Sequence, residues 1–97
     1  MKAIFAACNQ AYNEEIIFEL EKFGVRGFTQ WNGVNGRGSV NGEPHMGSHA
    51  WPVQNQAVLS FVPDEKAPEI LSALKVMDEA TPDLGLRAFM WNIEENI

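Results

Sequence analysis

The order in which two hydrophobic periods follow one another is what most limits how these 97 residues can fold. MKAIFAAC, residues 1–8, carries apolar side chains at both alternating positions, as a strand buried on two faces does. Tyr12, Ile16, Leu20 and Phe23 then recur at helical spacing. Asn13, Glu14 and Glu15 stand at the end of that helix where capping and the helix dipole favour them, and Gly24 is a natural stop. GFTQWNGV, Gly27 to Val34, mixes aromatics with threonine and reads as a second strand. AVLSFVP, Ala57 to Pro63, is the clearest strand in the chain. The following residues predict a helix capped by Asp64, with Pro68 inside its first turn, Ile70, Leu71, Leu74 and Met77 as its apolar stripe, and TPD as its end. In the tail, Phe89, Trp91 and Ile93 alternate with Ala88, Met90 and Asn92, a fourth strand.

Strand, helix, strand, strand, helix, strand is the split βαβ order. It predicts an α+β fold: a ferredoxin-like βαββαβ sandwich, with a four-stranded antiparallel sheet and two helices on one face. The length suits one domain with a modest core, spanning residues 1–97. Two helices cover one sheet face, yet the strands carry large apolar residues at both parities: Ile4 and Phe5, Val58 and Leu59, Met90 and Trp91. Self-association through the open face is the economical way to cover the second set.

Thirteen acidic residues against seven basic ones give a formal charge of −6, which repels a phosphate backbone and argues against nucleic acid or anionic membranes as partners. No apolar run approaches the roughly 20 residues that span a bilayer. The apolar run in MKAIFAACNQ is too short for a signal peptide, and the single Cys8 has no internal disulfide partner, so a cytoplasmic location is the default expectation. Cys8 reads as a small buried hydrophobe, and no nucleophile and base can be paired. Nothing supports a carboxylate dyad at Glu14/Glu15 or Glu94/Glu95, so no enzymatic activity is expected.

Between the second and third strands runs a long polar segment, about residues 36–55, when most connections take only about 4–6 residues. It contains both histidines and four of the eight glycines, Gly36, Gly38, Gly42 and Gly47, with Gly33 just before it. Such glycines permit unusual backbone angles and offer N–H groups to an anion at close approach.

MKAI at the start, GVRGFT at Gly24 to Thr29, NGRG at Asn35 to Gly38, and VPDE at Val62 to Glu65 occur in the order and near the spacing of the PII-like family, related to nitrogen-regulatory protein P-II. The sequence resembles that family from Lys2 to about Trp91. The resemblance implies a homotrimer with open sheet faces packed inward and effector sites in the clefts between subunits. The segment after the second strand would be the T-loop, which changes shape with the ligand and touches a partner protein. ATP, ADP or another small anion is the implied effector, and Thr29, Gly36, Arg37, Gly38 and Arg87 are the implied effector-binding residues. The departures are specific. Gly38 stands where PII proteins usually carry a glutamine that helps to hold ATP, DLGLRAF shortens a glycine-rich phosphate stretch in which Arg87 replaces a lysine, and the tail NIEENI lacks the usual arginine pair. Arg37 and Arg87 are the cations left at phosphate positions.

Two of these residues have a plainer alternative: a solvated charge for Arg37, an ordinary strand threonine for Thr29. His45 and His49 have a spacing that would converge on one metal on a helix, but Glu43 and Pro44 argue for a loop. The trimeric CutA proteins, similar in topology and linked with divalent metals, keep a metal-binding or metal-stress role as the alternative function, with His45 and His49 as its ligands. Trp51, beside Pro52, is either an anchor for the partner protein or a residue that folds the loop back onto the sheet.

Overall fold

The structure, a computed structural model, describes residues 1–37, 43–50 and 52–97. Four strands and two α-helices are formed among the described residues: β1 (Lys2–Asn9), α1 (Asn13–Lys22), β2 (Thr29–Val34), β3 (Asn55–Val62), α2 (Ala67–Ala80) and β4 (Arg87–Asn92). Short 3₁₀ turns at Gln10–Tyr12 and Pro82–Leu84 precede α1 and β4. The sheet order is β2-β3-β1-β4, with every neighbouring pair antiparallel. This is the α+β sandwich expected from the order of periods.

The strand register shows how the two faces divide. Ile4 lies opposite Ser60 and Met90, and Ala6 opposite Val58 and Ala88, which puts these residues on the helix-covered side. Ile4, Ala6, Cys8, Val58 and Val62 pack there against Ile16 and Leu20 of α1 and Ala67, Ile70 and Leu74 of α2. Leu71 and Met77 are only partly buried at the edge of the predicted stripe. α1 ends in a Schellman motif: the Val25 N–H donates to the Leu20 carbonyl at 3.1 Å and the Gly24 N–H to the Glu21 carbonyl at 2.9 Å. Val25 and Leu20 then meet in the core, which fixes the turn into β2.

The other face carries Phe5 flanked by Leu59 and Phe89, and Ala3 flanked by Phe61 and Trp91. Trp31, Phe61, Phe89 and Trp91 remain 45%, 50%, 58% and 47% exposed in the single chain. Four half-bare aromatic rings on one sheet face exceed what scattered surface apolar residues require. No helix among the described residues is long and apolar enough to cross a membrane.

Some element boundaries differ from the sequence expectation, among them that of β4, which ends at Asn92 and leaves Ile93 outside. β2 starts at Thr29 rather than Gly27, because the Gly27 carbonyl accepts the Ser60 hydroxyl at 2.6 Å instead of joining the ladder. β3 starts two residues early, at Asn55, since Asn55 and Gln56 are buried with their amides satisfied by side chains. Asp64 does not cap α2: the N-cap position is Lys66 with no side-chain cap, because the Pro63 carbonyl already accepts the N–H groups of Lys66 and Ala67 at 3.1 and 3.3 Å. Its carboxylate pairs instead with the Met1 amino group at 2.5 Å, which lowers its pKa.

Candidate functional site

The long connection is tied down at its base. Gly36 and His45 exchange both backbone hydrogen bonds, at 2.9 and 2.6 Å, and Met46 forms a second antiparallel bridge with Gln54. A Cβ at Gly36 would lie 2.6 Å from Nδ2 of Asn55, so a side chain there would have to displace that amide. The Nδ1 atom of His45 lies 2.5 Å from Oδ1 of Asn55, the first residue of β3. Its Cε1 lies 3.4 Å from where a Cβ on Gly85 would stand. The imidazole is therefore wedged between the start of β3 and the turn that precedes β4.

That turn is held from below. Leu84 and Leu86 are buried in the core, and Gly85 between them adopts the left-handed conformation at φ 57° that lets the chain reverse into β4. Asn9, at the end of β1, donates to the Asp83 carbonyl at 3.3 Å, and Asp78 of α2 accepts from the Leu86 N–H at 3.0 Å. The other Asp78 oxygen lies 3.8 Å from Nη1 of Arg87, which also donates to the Leu86 carbonyl at 2.6 Å. Arg87 stays half-exposed at the first position of β4. A cleft of about 420 Å³ opens beside it, with Leu71, Leu74, Ala88 and Met90 as apolar lining and Lys75 and Asp78 as its charges.

A chain of side-chain hydrogen bonds braces the same end of the sheet. Nε2 of Gln30 donates to Oδ1 of Asn13 and, at 3.0 Å, to Oε1 of Gln56, whose own Nε2 donates to Sγ of Cys8 at 3.3 Å. These bonds join α1, β2, β3 and β1 around an otherwise apolar interior, where unpaired amides would be costly. Burial pushes the Cys8 thiol pKa up, as suits a packed cysteine rather than a nucleophile.

Of the residues expected to bind an effector, Gly36, Arg37 and Arg87 come to one end of the molecule through the contacts of His45 with Gly36 and Gly85. Thr29 does not join them. It pairs with Leu59 on the open face, four positions along β3 from Asn55, or about 13 Å at the rise of a strand. Gly38 and Trp51 lie outside the described residues. Of the two histidines, Nδ1 of His45 is engaged by Asn55 and His49 is exposed. No group of three or more metal-ligating side chains is assembled among the described residues. Asn55, Asp78 and Gly85 went unflagged in the sequence. The only local sign of Asn55 is a run of three amide residues, Gln54 to Gln56, directly before an apolar strand.

Four antiparallel strands under two helices, with a long connection rising from β2 and docked on the turn before β4, define a PII-type sandwich. The chain belongs to the nitrogen regulatory protein P-II family, whose model matches residues 1–97. It is a PII-like regulatory protein. No curated protein matches the sequence. Among solved structures, the fold is similar to a PII-like signalling protein from Thermus thermophilus, at 24% identity over 95% of this chain and 85% of that one, with a TM-score of 0.69. It is also similar to CPII, a nitrogen regulatory PII-like protein from Thiomonas intermedia. The form of CPII bound to ADP and bicarbonate aligns with a TM-score of 0.72, at 18% identity over 97% of this chain and 88% of CPII. The form bound to ADP, AMP and bicarbonate aligns over the same shares at 0.71.

Proposed function

We propose that this protein is a cytoplasmic homotrimeric regulator. It binds an adenine nucleotide or a small oxyanion in the clefts between subunits and reports the bound state to a partner protein through the connection between β2 and β3. The observation that carries this reading is the docking of the loop base on the turn before β4, through the contacts of His45 with Gly36, Asn55 and Gly85. A ligand that engages Arg87 at the end of that turn acts on the same contact that holds Gly36 and Arg37. Ligand and loop conformation are then linked, and each biases the other by population shift. The half-bare aromatic face supports assembly, and the ADP and bicarbonate bound by CPII support the class of ligand. No bond-making step is assigned to the site.

Calorimetric titration with ADP, ATP, AMP and bicarbonate tests the reading. Arg37→Ala and Arg87→Ala should each weaken the bound ligand by about 1.5–3 kcal/mol, the range for hydrogen bonds to charged groups, with the fold intact. Absence of any heat with all four ligands, or unchanged affinity in both variants, overturns it.

A further inference from the structure

The His45 imidazole is more constrained than a loop side chain needs to be. Its backbone is bonded in both directions to Gly36, its Nδ1 meets Asn55 at 2.5 Å, and its Cε1 rests against Gly85. Asn55 is buried, and it presents a carbonyl oxygen to the ring while its Nδ2 faces Gly36. An amide oxygen can only accept, so Nδ1 carries the proton, and the neutral ring is left with its lone pair on Nε2. Nε2 is bonded to Cε1, the ring atom 3.4 Å from where a Cβ on Gly85 would stand. The junction thus holds an oriented acceptor between two chain segments that lead directly into cations, Arg37 after Gly36 and Arg87 shortly after Gly85.

We propose that His45 is a specificity-determining residue of this junction, its Nε2 accepting a hydrogen bond from an O–H or N–H group on a bound anion. This rests on the reading that an anion binds here, and narrows it to anions that also carry a proton donor. Arginines alone take any oxyanion of the right size; an oriented acceptor at the same junction repels the lone pairs of an anion with no proton to give. Sites built to bond a substrate hydroxyl reject the analogue that lacks it, because the protein's polar atom is left unpaired.

Bicarbonate and nitrate separate the two contributions. Both are planar, singly charged and three-oxygened, and bicarbonate alone carries a hydroxyl. In mildly alkaline buffer the wild-type protein should bind bicarbonate about 10–100-fold more tightly than nitrate, the worth of one hydrogen bond to a charged group. His45→Phe, which keeps a planar ring without Nε2, should reduce that preference to about twofold or less. A readout on the unaltered protein covers a failure of the variant to fold: in ¹⁵N-histidine-labelled protein, the His45 Nε2 resonance should move with bicarbonate and not with nitrate. Anion binding without preference for bicarbonate, or an unmoved Nε2 resonance, overturns the role of His45 and leaves the anion site standing. If neither anion nor any nucleotide binds, both readings fall together.

Discussion

Phe89→Ser isolates the open sheet face. Phe89 lies on the edge strand β4 opposite Phe5, on the face away from the helices, and keeps 58% of its surface exposed in the single chain. A phenylalanine buries about 150–250 Å² when fully covered, so covering this one in an assembly removes about 90–140 Å² more from water. At about 25 cal/mol per Å², that is about 2–3.5 kcal/mol per subunit. Three equivalent copies in a closed trimer bring the sum to about 7 kcal/mol or more, about five orders of magnitude in the trimer dissociation constant. The subunit itself should lose little, because the ring is outside the helix-covered core. Sedimentation equilibrium should find wild type trimeric at micromolar concentration and Phe89→Ser monomeric, with an unchanged far-ultraviolet circular dichroism spectrum. A monomeric wild type, or a variant trimer as tight as wild type, would refute the assignment of this face.

Other substitutions test the joints of the fold. Gly85→Ala should lower stability by about 1–2 kcal/mol in thermal melts, since a side chain is strained in the left-handed region, and its methyl would also press on His45; unchanged melting would mean that the turn differs from the one described. Gly36→Ala should displace the Asn55 amide and speed proteolysis within residues 37–44, with little change in the cooperative melting of the sheet; equal cleavage rates would show that the bridge does not hold the loop base. Cys8 should react with thiol reagents only at the rate of opening, because it is buried. Its raised pKa keeps the folded thiol protonated after the unfolded one ionises, so its stabilising contribution is intact below the ordinary thiol range and is lost as pH rises through the folded value. Denaturant melts against pH should show this alkaline decline in wild type and a shallower one in Cys8→Ala.

Which elements could be read from the sequence follows from how local their causes are. The helices announced themselves through the spacing of Ile16 and Leu20 and of Ile70 and Leu74, and the same residues form the core. The early start of β3 could not be read that way. Asn55 and Gln56 look like the end of a loop, and they are strand residues because His45 and Gln30, ten and twenty-six positions away, satisfy their amides. Asp64 looked like a helix cap because the sequence does not show that the Pro63 carbonyl had taken the N–H groups concerned. At the site, resemblance marked Gly36, Arg37 and Arg87, which the chain brings to one end, along with Thr29, which it leaves at mid-sheet. His45 was noticed for its spacing to His49, but its place in the fold comes from a neighbour that spacing could not supply, the Asn55 amide.

The energetics of the loop base suit a reporter better than a fixed strut. Two backbone bonds and one side-chain bond join Gly36, His45 and Asn55, and at ordinary net values they contribute about 2–4 kcal/mol together. Bringing together the ends of the stretch from Gly36 to His45 costs about 2 kcal/mol in loop-closure entropy, before any side chain is ordered. Formed and broken states of this one bridge therefore differ by little, whereas the turn on the other side is anchored by Leu84 and Leu86 in the core and cannot yield as cheaply. A ligand contact worth about 2 kcal/mol in one arrangement and absent in the other changes the ratio of the two about thirtyfold. Under the proposed function, the rigid side of the junction would set where an anion sits, and the marginal side would set what a partner protein feels.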